Sequence, residues 1–140
     1  MIQQLTQQLV REEGEVLHAY QDSMGLWTIG VGILIDERGG GISMDESRYL
    51  LANRLQTAID CVKARWPWAT ALSDARFAVL VQMCYQMGPE RLSHFTDTLA
   101  LIEAGKYEDA AAAMLESKWA QQTPKRAHRV AQQMATGEWI

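Results

Sequence analysis

The side chains that could carry out chemistry lie close together near the start of the chain. Glu13 is followed by Gly14, and eight residues separate Glu13 from Asp22. Five more residues separate Asp22 from Thr28. Two carboxylates that face each other across a cleft suit glycoside hydrolysis, because one can protonate the leaving oxygen while the other, ionised, helps a nucleophile or stabilises positive charge on the sugar. The segment therefore indicates a glycosidase site with Glu13 as its acid.

Each of these residue types also has a purely structural interpretation. A glutamate at a helix end is usually solvated, and an aspartate in a glycine-containing loop commonly holds a turn. A threonine in a strand is often no more than a β-former. The two carboxylates alone therefore leave both interpretations open, and the surrounding pattern must separate them.

Glycine is distributed unevenly, and its distribution divides the chain. Seven of the ten glycines lie between positions 14 and 41, in the kind of segment where strands and tight turns need them. The segment 26–35 is rich in β-forming residues, and its two glycines indicate bends or a close approach of the backbone. Gly39, Gly40 and Gly41 predict a turn. This pattern predicts a small β-lobe over about residues 14–43.

Helical signals lie on both sides of this lobe. A helix is expected over residues 2–13, with one apolar face formed by Ile2, Leu5, Leu9 and Val10. The sequence Ser43-Met44-Asp45-Glu46 has the form of a capping box and opens a long connecting helix over about 44–65. The inner face of that helix is predicted to consist of Leu51, Leu55, Ala58, Ile59 and Val62. Trp66-Pro67-Trp68 ends it.

The remainder of the chain predicts a helical lobe over residues 66–140, to which the N-terminal helix is also assigned. Ser73-Asp74 starts a segment over 75–87 that is apolar nearly all round, which is typical of a helix at the centre of a bundle. Shorter helices are expected near 96–104 and 107–117. Thr123-Pro124 offers an N-cap with proline at the first position of a last helix. The whole chain is thus expected to form one α+β domain.

Composition and charge exclude several classes of protein. The 140 residues are 48% apolar, which fits one globular domain, and the net charge of −4 argues against a nucleic-acid-binding protein. Cys61 and Cys84 lie in apolar helical patterns and are expected to be buried free thiols, although a disulfide stays open. The three histidines are scattered, so no metal site is expected. A local group of positive residues late in the chain comprises Lys118, Lys125, Arg126 and Arg129.

The start of the chain lacks the basic and apolar regions of a signal peptide, and no apolar run reaches the length of a membrane span. We therefore expect a protein that is kept in the cytoplasm until another protein releases it. Neither an extra domain nor a coiled coil is visible in the sequence, so a monomer is expected.

The residues around Glu13 resemble the phage lysozyme family, also called endolysins or glycoside hydrolase family 24. That family carries Glu, eight residues, Asp, five residues and Thr, with the threonine inside a Thr-Ile-Gly-x-Gly segment. The sequence Thr28-Ile29-Gly30-Val31-Gly32 matches this segment. The similarity covers nearly the whole chain, and its C-terminal part is most similar to the T-even phage members. The other matching segments are Gln86-Met87-Gly88, Phe95-Thr96, residues 118–127 and Gly137-Glu138-Trp139.

This resemblance implies a small β-lobe and a larger helical lobe joined by a long helix, with the glycan strand in the cleft between the lobes. It implies that Glu13 protonates the glycosidic oxygen between N-acetylmuramic acid and N-acetylglucosamine, while Asp22 and Thr28 position the hydrolytic water. It implies no cofactor. The residues that fall where the family lines its cleft are Leu34, Tyr85, Gln86 and Thr98, each of which has a core or surface position as its alternative.

Arg126 is expected to approach Glu13 from the last helix, and its alternative is a solvated arginine. Two departures from the family pattern are visible. Many relatives have a histidine directly after the second glycine, where this chain has Ile33, and the stretch between Ile35 and Ser43 is short. The first departure affects a polar tie between the β-lobe and the long helix, and the second affects the outline of the substrate cleft.

Two other functions stay open at this point. A non-catalytic wall-binding or tail-structural module could keep the fold, although it has no need of a buried acid. A lytic transglycosylase also needs one acid, but it does not need Asp22 and Thr28 to handle water. We expect hydrolysis of peptidoglycan with inversion of the anomeric centre, and a holin-type membrane permeabiliser as the partner that allows the enzyme to leave the host cytoplasm.

Overall fold

The computed structural model describes every residue from Met1 to Ile140 and groups the backbone into two compact units, residues 1–50 and residues 51–140. The predicted α+β class is confirmed, because the first unit contains a three-stranded antiparallel sheet and helices make up most of the chain. Backbone contacts group the N-terminal helix with the sheet, since only Gly14 and Glu15 separate it from the first strand. The packing of that helix in the helical lobe stays a prediction.

In the first unit, the backbone changes direction at glycine residues. Its helix ends at Gly14, which has a φ of 74° that favours glycine. The β-forming segment 26–35 contains two strands, and the predicted bend lies between them, because Gly30 and Gly32 both have a φ of 65° and turn the chain. The elements are helix α1 (Ile2–Glu13) and strands β1 (Val16–Gln21), β2 (Trp27–Gly30) and β3 (Ile33–Leu34), with the strands side by side in chain order.

A tight turn closes the short stretch after β3. The Asp36 carboxylate accepts hydrogen bonds from the Arg38 guanidinium at 2.7 Å and from the Arg38 backbone N–H at 3.0 Å, which hold the pKa of that carboxyl well below its usual range. At position 39 a β-carbon would lie 2.6 Å from the Leu34 side chain, so only glycine fits there. The short stretch after Ile35 therefore begins with a tight turn that packs against the side chain of Leu34 in β3.

The connecting helix α2 (Met44–Arg65) has the predicted bounds and the predicted start. The backbone N–H of Glu46 donates to Ser43 Oγ at 3.2 Å, and the N–H of Ser43 donates to the Glu46 carboxylate at 2.6 Å. These bonds confirm the capping box and lower the pKa of Glu46. The predicted inner face is only partly right, because Ala58 and Val62 enter the core while Leu51 and Leu55 line a surface groove of the second unit.

The second unit is built around helix α3 (Asp74–Met87), which is largely buried as predicted, although Tyr85 is 45% exposed. Val79, Leu80 and Met83 each have no more than 1% of their surface exposed. The N–H of Arg76 donates to Ser73 Oγ at 3.4 Å, which confirms the predicted helix start. The other elements are a 3₁₀ turn (Pro67–Ala71) and helices α4 (Pro89–Ser93), α5 (Thr96–Glu103), α6 (Tyr107–Leu115), α7 (Lys118–Gln122) and α8 (Pro124–Thr136).

The helices after α3 differ from the sequence pattern in detail. The helix predicted over 107–117 ends at Leu115, and the short helices α4 and α7 were not expected, since a five-residue segment is too short to show an apolar period. Helix α8 begins at Pro124 as predicted, but Thr123 does not cap it. The Thr123 hydroxyl donates instead to the Trp119 carbonyl at 3.0 Å, so it is committed to α7.

An arginine of α3 supports the C-terminal end of α8. The Arg76 guanidinium donates to the carbonyl oxygens of Met134 at 2.9 Å and Ala135 at 3.0 Å. These carbonyls lie in the last turn of α8, where helical N–H partners run out. The same guanidinium lies over the Tyr107 ring, 3.7 Å from the ring centroid, so one side chain joins α3, α6 and α8.

We predict that Arg76→Lys lowers the free energy of unfolding by about 1–3 kcal/mol, because an ammonium group cannot reproduce the planar fork that serves both carbonyls. Urea unfolding followed by circular dichroism measures the change. Arg129→Lys, at an exposed position of α8, is the matched control and should unfold like the wild type. Coincident curves for the two variants would contradict the role of Arg76.

Candidate active site

Glu13 is the last residue of α1, and its carboxylate lies against the backbone of the loop between β2 and β3. A β-carbon added to Gly32 would be 2.8 Å from Glu13 Oε2 and 3.1 Å from the carboxylate carbon. Position 32 can therefore approach the carboxylate this closely only as glycine. The close backbone approach that the two glycines predicted is confirmed, and it fixes the carboxylate within the first unit.

We predict that Gly32→Ala lowers the rate of peptidoglycan hydrolysis by about a hundredfold, since the new methyl group displaces the Glu13 carboxylate and a shift of about 1 Å at a reacting group has that effect. The backbone strain at a φ of 65° adds about 1–3 kcal/mol of destabilisation. Gly41→Ala is the matched control, because Gly41 has a φ of 60° and no atom within 4 Å of its added β-carbon. Equal hydrolysis rates for the two variants would show that the contact with Glu13 does not matter.

Asp22 holds the turn between β1 and β2. Its Oδ1 accepts hydrogen bonds from the backbone N–H groups of Met24 and Leu26, both at 2.9 Å. The Asp22 N–H in turn donates to the Leu26 carbonyl at 2.9 Å. The structural interpretation of this aspartate is thus correct for one oxygen. Because both bonds go to Oδ1, Oδ2 is available to accept a hydrogen bond from water.

Thr28 lies in β2, opposite Tyr20 of β1 and Leu34 of β3. Its side chain is almost fully buried, with 4% of the residue exposed, and its hydroxyl donates to the Leu26 carbonyl at 3.0 Å. A hydroxyl has a single proton, so any further partner of Thr28 Oγ1 must donate to it. The peptide groups of Leu26 therefore link the two predicted catalytic residues, since its N–H binds Asp22 and its carbonyl binds Thr28.

Two residues near this site have packing roles in the first unit. Leu34 is half-buried, and the backbone of Gly39 packs against its side chain. The Ile33 side chain packs on Gly30, where an added β-carbon would be 3.5 Å from Ile33 Cδ1. Where many relatives have histidine, this chain therefore has an apolar contact. The predicted substrate contact of Leu34 stays a prediction.

In the second unit, Gln86 and Thr98 come together in one cavity of about 430 Å³. Gln86 Oε1 accepts a hydrogen bond from the indole N–H of Trp119 at 3.0 Å. The Trp119 ring packs edge-on against Phe95, with centroids 6.3 Å apart and an interplanar angle of 80°. The structure thus brings two of the predicted substrate-binding residues together. The polar or charged residues that also line the cavity include Arg91, His94, Asp97 and Lys118.

Trp119 and Phe95 also line this cavity, and neither was among the predicted substrate-binding residues. Both lie within segments that match the family, so their aromatic side chains were the signal that could have identified them. Their meeting depends on the packing of α5 against α6 and of α6 against α7, which a sequence pattern does not specify.

Tyr85 and Arg126 line a different, mostly apolar groove of the second unit, together with Leu51, Leu55 and Phe77. Arg126 is half-buried, and its Nε donates to Gln82 Oε1 at 3.2 Å, so it is held within this unit. The alternative of a solvated arginine stays open. Its approach to Glu13 and the substrate contact of Tyr85 stay predictions.

His, Cys, Asp and Glu side chains do not gather in groups of three or more that could hold a metal ion. No helix combines the length and the apolar character that a membrane crossing requires.

The α+β fold, with Glu13 at the end of α1, Asp22 in the turn after β1 and Thr28 in β2, is that of a lysozyme-type glycoside hydrolase. The chain belongs to the phage lysozyme family, whose sequence profile matches residues 10–133. Family membership makes the protein a muramidase-type peptidoglycan hydrolase, as the sequence predicted.

Similar proteins occur in Dictyostelium discoideum and in Enterobacteria phage T4. The chain is 31% identical to probable T4-type lysozyme 2 of Dictyostelium discoideum and 30% identical to probable T4-type lysozyme 1 of the same organism, in each case over 98% of this chain and 96% of the relative. It is also 30% identical to the pre-baseplate central spike protein Gp5 of Enterobacteria phage T4, over 95% of this chain but only 28% of the spike protein.

Proposed function

We propose that the protein hydrolyses the β-1,4 bond between N-acetylmuramic acid and N-acetylglucosamine with inversion at the anomeric carbon. In this proposal Glu13 is the general acid, and Asp22 and Thr28 hold the attacking water. The observation that supports it most is the link through Leu26, whose N–H binds Asp22 in the turn between β1 and β2 and whose carbonyl binds Thr28 in β2.

The hydrogen bonds that Asp22 and Thr28 form with Leu26 determine how a bound water would be oriented. Thr28 has committed its proton to the Leu26 carbonyl, and Asp22 Oδ2 can only accept. A water between them would donate one proton to each, so its oxygen lone pairs would point away from both residues. Such a water is oriented to attack an anomeric carbon, and the burial of Thr28 shields it from bulk solvent.

Glu13, Asp22 and Thr28, together with the water, account for every proton that moves in the reaction. Protonated Glu13 gives its proton to the glycosidic oxygen, and the leaving sugar departs with a new hydroxyl group. The water forms the new bond to the anomeric carbon from the opposite face, and Asp22 accepts its proton. The two carboxyl groups then exchange protons with solvent before the next turnover.

The cavity around Gln86 and Thr98 is proposed as a second contact surface for peptidoglycan. It offers an aromatic wall from Trp119 and polar groups that could bind acetamido or carboxylate groups of the polymer. Leu34 and Tyr85 remain proposed contacts on the strength of the family resemblance alone.

Product analysis tests the function directly. Purified peptidoglycan is digested with the wild-type protein and with Glu13→Gln, and the new chain ends are identified by mass spectrometry. Hydrolysis leaves reducing muramic acid ends that borohydride converts to muramitol. Anhydro-muramic ends that resist borohydride would instead establish a lytic transglycosylase and refute the proposed role of Asp22 and Thr28.

The similarity to the spike protein favours a second setting for the same reaction. Because the chain matches 28% of that protein, a lysozyme-like stretch can occur as part of a longer phage structural protein. Its name places that protein in a pre-baseplate spike. In this second setting the enzyme would open the wall when a particle enters, and it would be detected in purified particles by immunoblotting.

We favour lysis of the host from its cytoplasm, with a holin-type protein as the partner that permeabilises the membrane. We predict that cells producing the protein in the cytoplasm keep a constant optical density until chloroform or a co-expressed holin opens the membrane, after which they lyse within minutes. Cells that produce Glu13→Gln at the same level are the control and should stay intact after the same treatment. Prompt lysis without a permeabilising agent would contradict the dependence on a partner.

A further inference from the structure

Two thiols, one on α2 and one on α3, line the same cavity of the second unit. Cys61 of α2 is partly buried, and Cys84 of α3 is 5% exposed, and both pack into the same apolar core. Both also line a cavity of about 390 Å³, together with Arg54, Tyr85 and Pro89. The cavity gives a small reagent access to sulfur atoms that a fully packed interior would exclude.

The two side chains act on each other. Burial raises the pKa of the Cys84 thiol, and Cys61 raises it further through charge repulsion and a side-chain hydrogen bond. Both side chains line the same cavity, so the two thiols face one space. Cys84 is thereby held as the protonated thiol, and Cys61 is the sulfur that a reagent meets first because it is more exposed.

We propose that Cys61 and Cys84 form a redox-active dithiol site whose reactant is a low-molecular-weight disulfide. The Cys61 thiolate attacks one sulfur of the reagent, which forms a mixed disulfide and releases one thiolate. Cys84 then loses its proton to water, and its sulfur attacks the Cys61 sulfur and expels the second thiolate. Two protein thiols are oxidised to one disulfide, and the reagent is reduced to two thiols.

The geometry favours a disulfide over a metal at this position. The other residues that line the cavity are Arg54, Thr57, Ala58, Tyr85 and Pro89, and no third His, Cys, Asp or Glu side chain joins the two thiols. A structural zinc site normally needs four ligands. The pair is therefore equipped for thiol–disulfide exchange and lacks the ligands for a stable ion.

The bond would join the C-terminal half of α2 to α3 and close the loop between them. Closing a loop restricts the unfolded chain and so stabilises the folded unit. This use of the site rests on the proposed function, in which the enzyme passes from a reducing cytoplasm to an oxidising wall space. The two thiols would stay reduced during synthesis and would form the disulfide after release.

The test uses the full-length reduced protein and glutathione disulfide as the probe. After incubation, free thiols are counted with a chromogenic reagent, and unreduced tryptic peptides are analysed by mass spectrometry. We expect both thiols to be lost together, a cross-linked peptide that contains Cys61 and Cys84, and a higher melting temperature than that of the reduced protein. A wild-type protein that keeps a glutathione adduct on Cys61, or shows no cross-link, would overturn the proposal.

Two single variants separate the steps. Cys84→Ser should stop at the mixed disulfide on Cys61, while Cys61→Ser should lose nearly all reaction with the probe because the remaining thiol is buried. Reaction of Cys84 in Cys61→Ser at the wild-type rate would reject the proposed order of attack. None of these measurements uses peptidoglycan, so their failure leaves the hydrolase proposal intact, and an inactive hydrolase leaves them interpretable.

Discussion

Replacing Glu13 with glutamine should remove nearly all peptidoglycan hydrolysis and leave the fold unchanged. The amide has the shape of the carboxyl group, so it can occupy the same place against Gly32. It cannot supply the proton that the leaving glycosidic oxygen needs. General acid catalysis typically contributes 10²–10⁴-fold, and a loss of that order is expected in the initial rate at which a wall suspension clears.

The neighbouring residue provides the control for this experiment. Glu12 has the same side chain one position earlier, is exposed, and forms an ion pair with Arg11 at 2.7 Å. Glu12→Gln changes the net charge by the same amount and should keep close to wild-type activity. Circular dichroism and the melting temperature check that both variants fold. If Glu13→Gln retained more than about a tenth of the wild-type rate, Glu13 would not be the general acid.

The parts of the fold that were predictable are those specified by local chemistry. The capping box at Ser43 and Glu46 satisfies its own backbone groups, so its sequence is sufficient to place the start of α2. Gly14 and Gly32 were informative because positive φ angles nearly require glycine. An apolar segment such as 75–87 identifies a largely buried helix whatever surrounds it, since most of its faces must be covered.

The parts that could not be predicted depend on partners distant in the chain or on a choice between equivalent local bonds. Thr123 could cap α8 or donate to the Trp119 carbonyl, and the second bond forms because α7 ends beside it. Arg76 finds its carbonyl acceptors nearly sixty residues later, at Met134 and Ala135. The cavity that Cys61 and Cys84 share likewise depends on how α2 and α3 are placed in the second unit. No spacing rule encodes these contacts.

In the candidate site, too, one part was predictable from the sequence and another was not. The positions of Glu13, Asp22 and Thr28 followed from a motif, but the reason for the spacing between Asp22 and Thr28 did not. The structure supplies it, because a turn of this length places Leu26 where its N–H meets the carboxylate and its carbonyl meets the hydroxyl. The spacing is thus a requirement of the hairpin turn, and the proposed chemistry uses what the turn leaves free.

Replacing Thr28 should also lower the hydrolysis rate strongly, because only Asp22 and Thr28 bind the proposed water. Thr28→Val keeps the branched shape that packs in β2 and removes the hydroxyl, and we expect a loss of about a hundredfold in the hydrolysis rate from the misplaced nucleophile. Leu26 keeps the N–H of Asp22 as a partner for its carbonyl, so the turn should survive. Thr28→Ser restores the hydroxyl and should recover most of the rate. Equal rates for valine and serine would remove Thr28 from the mechanism.

The stereochemistry of the product decides whether a held water is the nucleophile at all. A water between Asp22 and Thr28 keeps the carboxylate from bonding to the sugar, and inverting enzymes need such room, with carboxyl groups about 6.5–9.5 Å apart compared with about 5–5.5 Å in retaining enzymes. Attack from the face opposite the leaving group converts a β-linked glycan into an α-anomer. Proton NMR of a soluble glycan fragment, recorded before mutarotation, should therefore show the α-anomer first. A β-anomer as the first product would make Asp22 a covalent nucleophile and reject the role of the water, while Glu13 would keep its role as the acid.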